Sequence, residues 1–136
     1  MAAVSKLGEH GAVWYAIAAA GAALRPDDRG EFARAARTVA ISFGVNQAMK
    51  LAVRRRRPEL PGLPPIVSTM SSRSYPSAHA TTSAAGARTL APLLPAAPLH
   101  GLAAVLAVSR PYLGVHYPSD SLAGLVLGVA VAELLR

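Results

Sequence analysis

Ser109-Arg110-Pro111-Tyr112-Leu113-Gly114-Val115-His116-Tyr117-Pro118-Ser119-Asp120 joins two apolar segments and packs an arginine, a histidine and an acid into one short turn. A helix beginning near Tyr117 puts Asp120 about one turn beyond His116, within reach of one of its ring nitrogens. That contact fixes the imidazole tautomer and leaves the other nitrogen with an oriented lone pair, able to attack phosphorus. The guanidinium of Arg110 matches phosphate oxygens in a two-pronged geometry. The turn thus reads as half of a phosphoryl-transfer site. It reads equally as a Pro-containing turn in which Ser119 or Asp120 caps the last helix and His116 is polar surface. On this stretch alone both readings stand, and the other half of a site has to come from elsewhere in the chain.

A length of 136 residues predicts a single domain over residues 1–136. Hydrophobic residues make up 52% and charged ones 15%, well below the charged share of about 25% in soluble domains. Much of the apolar content is alanine, so the helices should be thin and closely packed. The net charge of +7 calls for an anionic partner. The arginines crowd at Arg54 to Arg57 beside an apolar run and are not interleaved with aromatics, so no nucleic-acid surface is expected. A phosphorylated substrate or an anionic membrane fits better. With no cysteine there is neither disulfide nor thiol chemistry. Lys6 and Glu9 interrupt the first residues, which do not read as a cleavable signal.

Outward from the central turn, the last segment runs from about Ser119 to Leu135, with Gly124 and Gly128 spaced so that a neighbouring backbone can approach closely. A fourth segment covers about Leu99 to Val108. A third starts at Ala78 behind Ser77, a candidate N-cap, and ends at the prolines Pro92, Pro95 and Pro98. Gly11 to Leu24 forms the first segment, stopped by Arg25-Pro26-Asp27-Asp28, and the second runs from Arg29 to near Val53. Pro58, Pro61, Pro64 and Pro65 make Pro58 to Tyr75 a loop. The expected fold is all-α: a compact up-and-down bundle of about five helices, transmembrane by composition, with the site at one pole. Several runs are shorter than the roughly 20 residues of a spanning helix, so tilt and local bilayer thinning are needed.

Alternating helix directions bring Lys50 and Arg57, Ser77 and His79, Ser109 and Arg110, and His116 and Asp120 to that one pole. Cations, histidines, hydroxyls and an acid meet there with two helix N-termini, the elements of an anion site. At these positions the chain resembles the type-2 phosphatidic acid phosphatase superfamily. Its three-part signature is matched in order by Lys50 with Arg57-Pro58, by Pro76-Ser77-Ala78-His79, and by Ser109-Arg110 with His116 and Asp120. The resemblance covers about Lys50 to Asp120 directly and the last helix by implication. It implies a membrane-integrated lipid phosphate phosphatase in which His116 forms a phosphohistidine, Asp120 orients it and His79 serves as acid and then base. Lys50, Arg57, Ser77, Ala78 and Arg110 would bind phosphate, with no metal and no cofactor. Ala78 stands where the family most often has glycine, which predicts a slightly tighter turn with the backbone amide retained.

The same resemblance implies one span more than the segments counted here, the first being absent, and leaves room for a homodimer that replaces the lost packing. It suggests a bacterial cell membrane, with the site facing away from the cytoplasm; counting charges at the two poles does not decide orientation. The expected substrate is a polyprenyl phosphate or diphosphate, or a phosphatidate-like lipid. Two competitors remain: a non-catalytic protein that binds anionic lipid, and a vanadate-dependent oxidase built on the same cage. Arg54 to Arg56 read as a solvated cluster beside lipid phosphates. His10 and His100 read as surface or helix-end residues, Arg73 as a candidate diphosphate contact, and Asn46 as either a site residue or a polar contact between helices.

Overall fold

The structure, a computed structural model, describes residues 2–59, 69 and 71–136; Pro61, Pro64 and Pro65 lie outside the described residues. Among the described residues six α-helices follow one another: α1 (Ala2–Leu7), α2 (Ala12–Leu24), α3 (Arg29–Val53), α4 (Ala78–Leu90), α5 (Ala96–Tyr112) and α6 (Pro118–Leu134). Short 3-10 turns at Glu9–Gly11 and Pro26–Asp28 precede α2 and α3. Among the described residues there is no strand beyond an isolated antiparallel bridge between Arg56 and Arg73. The all-α expectation holds, with α1 as an element the sequence does not announce.

Helix α4 is the axle of the bundle, packed on α2, α3, α5 and α6. Its sequence is small and polar, yet nearly all of it is buried. Burying hydroxyls costs free energy unless they are bonded. Here Thr81, Thr82 and Thr89 donate back to the carbonyls of Ser77, Ala78 and Ala85, at 3.0, 3.0 and 2.8 Å. Short side chains with internally bonded hydroxyls let four helices close on one. Gly86 admits the Trp14 indole, because a Cβ there would stand 2.4 Å from its ring. The indole N–H donates to Ser83 Oγ at 3.2 Å. Around Trp14, Phe32, Leu90, Leu99 and Leu106 gather the larger apolar side chains of the core.

Helix α5 is longer than the expected Leu99 to Val108 at both ends. Pro98 is tolerated because it lies in the first turn, where backbone N–H groups have no partner inside the helix. At the other end Pro111 deprives the Ala107 carbonyl of its helical donor. Ser121 Oγ on α6 donates to that carbonyl instead, at 3.0 Å.

Two helix starts lack a side-chain cap. Ser77 occupies the N-cap position of α4, but its hydroxyl makes no capping bond. Asp28 precedes α3 without capping it and pairs with Arg25 at 2.6 Å. No helix among the described residues is long and apolar enough to cross a membrane.

Candidate active site

The C-terminal end of α3, the N-terminal ends of α4 and α6 and the C-terminal end of α5 meet at one pole. Backbone bonds weld them: Ser77 N–H donates to Asp120 O at 2.9 Å and Ser74 N–H to Arg55 O at 2.8 Å. Asn46, fully buried in α3, donates through Nδ2 to Pro76 O at 3.2 Å and Thr81 Oγ1 at 2.9 Å. Of its two readings, the structure selects the polar contact between helices. The Lys50 ammonium holds the turn before α4 through the carbonyls of Arg73 and Ser74, at 3.2 and 3.3 Å.

A cavity of about 220 Å³ opens at this pole, with Lys50, Arg57, Ala78, His79, Arg110 and His116 along one side. Glu9, His10, Phe43 and Gln47 line another part. Ser77 lies behind Ala78 and Asp120 behind His116, both fully buried. Arg57 Nη1 is 3.1 Å from His116 Nε2. A guanidinium can only donate, so Nε2 accepts and the ring proton sits on Nδ1. Nδ1 faces Asp120 Oδ2 at 3.5 Å, long for a hydrogen bond, while that oxygen accepts the Tyr117 N–H at 2.9 Å. Asp120 therefore both caps α6 and backs the histidine, so the two readings of the central turn describe one residue.

Burial, and then the positive charges of Arg57, Lys50 and Arg110, hold the His116 imidazole well below its ordinary pKa. It is neutral at pH 7, with its lone pair turned into the cavity. Burial and Arg110 likewise bring Arg57 down to about 10, against a smaller opposing pull from Asp120; it remains a cation.

The remaining groups show what a phosphate would compete with. Arg57 Nε and Nη1 donate to the carbonyls of Ser71 and Val115, at 2.8 and 2.7 Å. His79 Nε2 lies 2.9 Å from Ser5 O, so this nitrogen carries a proton. Arg110 Nη1 donates to Ser5 Oγ at 2.6 Å. The buried atoms Ser77 Oγ, Arg110 Nε and His116 Nδ1 have no hydrogen-bond partner. Unsatisfied buried polar atoms are costly and gather where function requires them. Such a set of donors around a neutral imidazole can grip a phosphoryl group and present a nucleophile to it.

Sequence reasoning missed part of this wall. Gln47 and Phe43 lie three and seven residues before Lys50, on the same helix face, so periodicity carried that signal. Ser5 and Glu9 belong to a segment too short for a pattern. His10 is exposed, as expected of a surface or helix-end residue, and it also lines the cavity and meets Phe43 edge-on with ring centroids 5.7 Å apart. His100 is exposed on α5, as expected. Arg73 lends its backbone to the Arg56 bridge and is not among the residues lining the cavity.

The sequence profile of the PAP2 superfamily matches residues 32–136, which include every one of these helix ends. The chain belongs to the PAP2 superfamily. It is 41% identical over 124 residues to the decaprenylphosphoryl-5-phosphoribose phosphatase of Mycolicibacterium smegmatis, an overlap covering 90% of this chain and 68% of that one. It is 37% identical over 134 residues to the phosphatase of the same name from Mycobacterium tuberculosis, covering 97% of this chain and 75% of the other. Among solved structures it is similar to a transmembrane PAP2-type phosphatidylglycerolphosphate phosphatase from Bacillus subtilis. The TM-score is 0.79 at 25% identity, over 99% of this chain and 72% of that one.

In this PAP2 chain Arg57 touches the imidazole, two loop carbonyls and the cavity at once. Arg57→Ala is expected to lower kcat/KM about 100-fold, the usual cost of removing one charged donor to a developing oxyanion. Steady-state phosphate release checks it, and a loss below about threefold would remove Arg57 from phosphate binding.

Proposed function

We propose that this PAP2-superfamily chain, a lipid phosphate phosphatase, removes the terminal phosphate of a polyprenyl-phosphate-linked phosphoribose through a phosphohistidine intermediate. The observation that carries the chemistry is the meeting of His116, backed by Asp120, with Lys50, Arg57, His79 and Arg110 around one cavity. The similarity to two phosphatases named for decaprenylphosphoryl-5-phosphoribose supports the substrate.

His116 Nε2 attacks phosphorus as the bond from phosphorus to the ribose oxygen breaks, and His79, in its imidazolium form beside the bound phosphate, gives a ring proton to that oxygen and is left neutral. A water molecule then attacks the phosphohistidine, His79 takes its proton, the bond from nitrogen to phosphorus breaks and inorganic phosphate leaves. The imidazole becomes positive during the first step, and the Asp120 carboxylate offsets that charge through Nδ1–H. Lys50, Arg57, Arg110, Ser77 and the Ala78 amide hold the phosphoryl oxygens, the electrostatic work on which phosphoryl transfer mainly depends.

The bundle is proposed to sit in a membrane. Its outer face is apolar: Val108 and Tyr112 on α5 are 60% and 72% exposed, and Leu122 and Val126 on α6 are 65% and 70% exposed. Its interior holds Ser42, Asn46, Thr81, Thr82 and Ser83. Beside the apolar cluster around Trp14, the bundle thus mixes polar side chains into its core and presents apolar ones outward, as a bilayer setting permits. Helices α5 and α6, each 17 residues, are about 25 Å long, a few Å short of a hydrocarbon core of about 30 Å. Lipid thinning of that extent costs little.

The test is phosphate release by the purified protein, with chelator present, from a polyprenyl-linked phosphoribose, a polyprenyl monophosphate, phosphatidylglycerol phosphate and phosphatidate. Preferred hydrolysis of the phosphoribose lipid is expected. Preference for phosphatidylglycerol phosphate would overturn the substrate, and loss of all activity in chelator would overturn the metal-independent mechanism. A membrane-impermeant phosphomonoester cleaved by intact cells carrying the protein, and not by cells without it, is the result expected if the site faces away from the cytoplasm.

A further inference from the structure

Arg54 to Arg57 is a run of four arginines in which alternate residues differ. Arg54 and Arg56 are exposed, whereas Arg55 and Arg57 are partly buried. Arg54 ends α3 in a left-handed conformation, φ 57°, and Arg56 pairs with Arg73, so the chain beyond Arg54 is extended and successive side chains alternate in direction. Arg55 and Arg57 consequently reach the same turn, the one before and into α6.

They grip the two ends of one pair. Arg57 Nη1 stands 3.1 Å from His116 Nε2, and Arg55 Nη1 donates to Asp120 Oδ1 at 3.0 Å. Arg55 Nη1 also donates to Ser119 Oγ at 2.9 Å, and its guanidinium carbon lies 4.0 Å from the centroid of the Tyr117 ring. Its own backbone is fixed by the Ser74 N–H. A fully buried carboxylate needs a cationic partner to stay ionised. For Asp120 the ion pair with Arg55 is the shortest, since His116 Nδ1 is 3.5 Å away.

We infer that Arg55 is a positioning residue of the hydrolytic site, holding the Asp120 carboxylate oriented so that its other oxygen faces His116 Nδ1. Arg55 does not line the cavity and touches no substrate. Its effect passes through Asp120 to the charge that develops on the imidazole. The expectation that Arg54 to Arg56 form one solvated cluster is thereby corrected at its middle residue.

The inference rests on the phosphohistidine reading, and the test separates the two. Arg55→Ala is expected to lower kcat about 10- to 100-fold with KM changed less than about twofold, the effect of a mispositioned catalytic group. Arg55→Lys, which keeps the charge and loses the fork, should recover most of the rate. In a double-mutant cycle Arg55→Ala should cost less than about threefold once Asp120→Asn is present.

A folded Arg55→Ala protein with unchanged kcat, or full additivity with Asp120→Asn, would overturn the inference while leaving His116 as nucleophile. A rise in KM alone would make Arg55 a substrate contact. Should Arg55→Ala not fold, Arg55→Gln, which keeps the size and loses the charge, carries the same cycle, and additivity there is equally decisive. Loss of the reading itself would show separately, as phosphate release that survives replacement of His116.

Discussion

His116→Ala is expected to lower phosphate release by about four orders of magnitude or more, because a catalytic unit that loses its nucleophile keeps only its binding and electrostatic contributions. The variant should fold. Its imidazole sits at a cavity wall and makes one contact with Arg57 and one longer approach to Asp120, so no core packing depends on it. Wild-type protein quenched during turnover should carry phosphate on His116 that is labile to acid and stable to base, and the variant none. Retention of more than about one hundredth of the rate would mean that water attacks phosphorus directly, with His79 as base. Lipid binding by the variant should persist, since Lys50, Arg57 and Arg110 are untouched. Binding and hydrolysis then separate, which the non-catalytic alternative does not allow. Only a signal on the nitrogen itself distinguishes attack by His116 from mere orientation.

The pole of the bundle was legible because its chemistry sits at helix ends, and helix ends carry the strongest local signals. Pro76-Ser77 and Pro118 mark starts, and Arg54 follows a helix that runs to Val53. Once directions alternate, Lys50, His79, Arg110 and His116 must meet, and they do. Arg55 was hidden by its context: four identical residues in a row have no hydrophobic pattern, and only the extended backbone after Arg54 separates inward from outward. Ser5 was hidden for another reason. A helix of six residues has no usable periodicity, yet its carbonyl and hydroxyl occupy His79 and Arg110. The reach of α5 was hidden by prolines that stop most helices, because the Ser121 hydroxyl that relieves Pro111 comes from another helix.

The packing of α4 and α6 was hidden as well. A strongly amphipathic helix announces itself in sequence, but α4 buries threonines and alanines all round while α6 exposes leucine and valine. For these two helices periodicity alone gives no inward face. What fixes the orientation of α6 against α4 is its small residues, Gly124 and Gly128, four positions apart.

Gly128→Val is accordingly expected to destabilise the protein by more than about 3 kcal/mol, the range in which overpacking disrupts a fold. A Cβ at Gly128 would stand 2.2 Å from the Thr81 carbonyl oxygen and 2.8 Å from Ala84 Cβ, and backbone cannot move aside as a side-chain tip can. One turn earlier, a Cβ at Gly124 would meet Ser77 O at 2.6 Å. Helices α4 and α6 touch backbone to backbone along this seam, and the seam leads to the bond from Ser77 N–H to Asp120 O. Gly128→Ala should already cost both stability and rate, because parting the helices moves His79 on one away from Asp120 on the other. Two glycines supply controls. A Cβ at Gly101 or at Gly44 meets nothing within 4 Å. Alanine there should stabilise by about 0.5–1 kcal/mol through helix propensity alone and leave kcat unchanged. Thermal unfolding in detergent, with activity measured on the same samples, reads all three positions. If Gly128→Ala unfolds within about 2 °C of the parent, then α4 and α6 do not meet along this seam. The common origin of bundle packing and site geometry would fall with it.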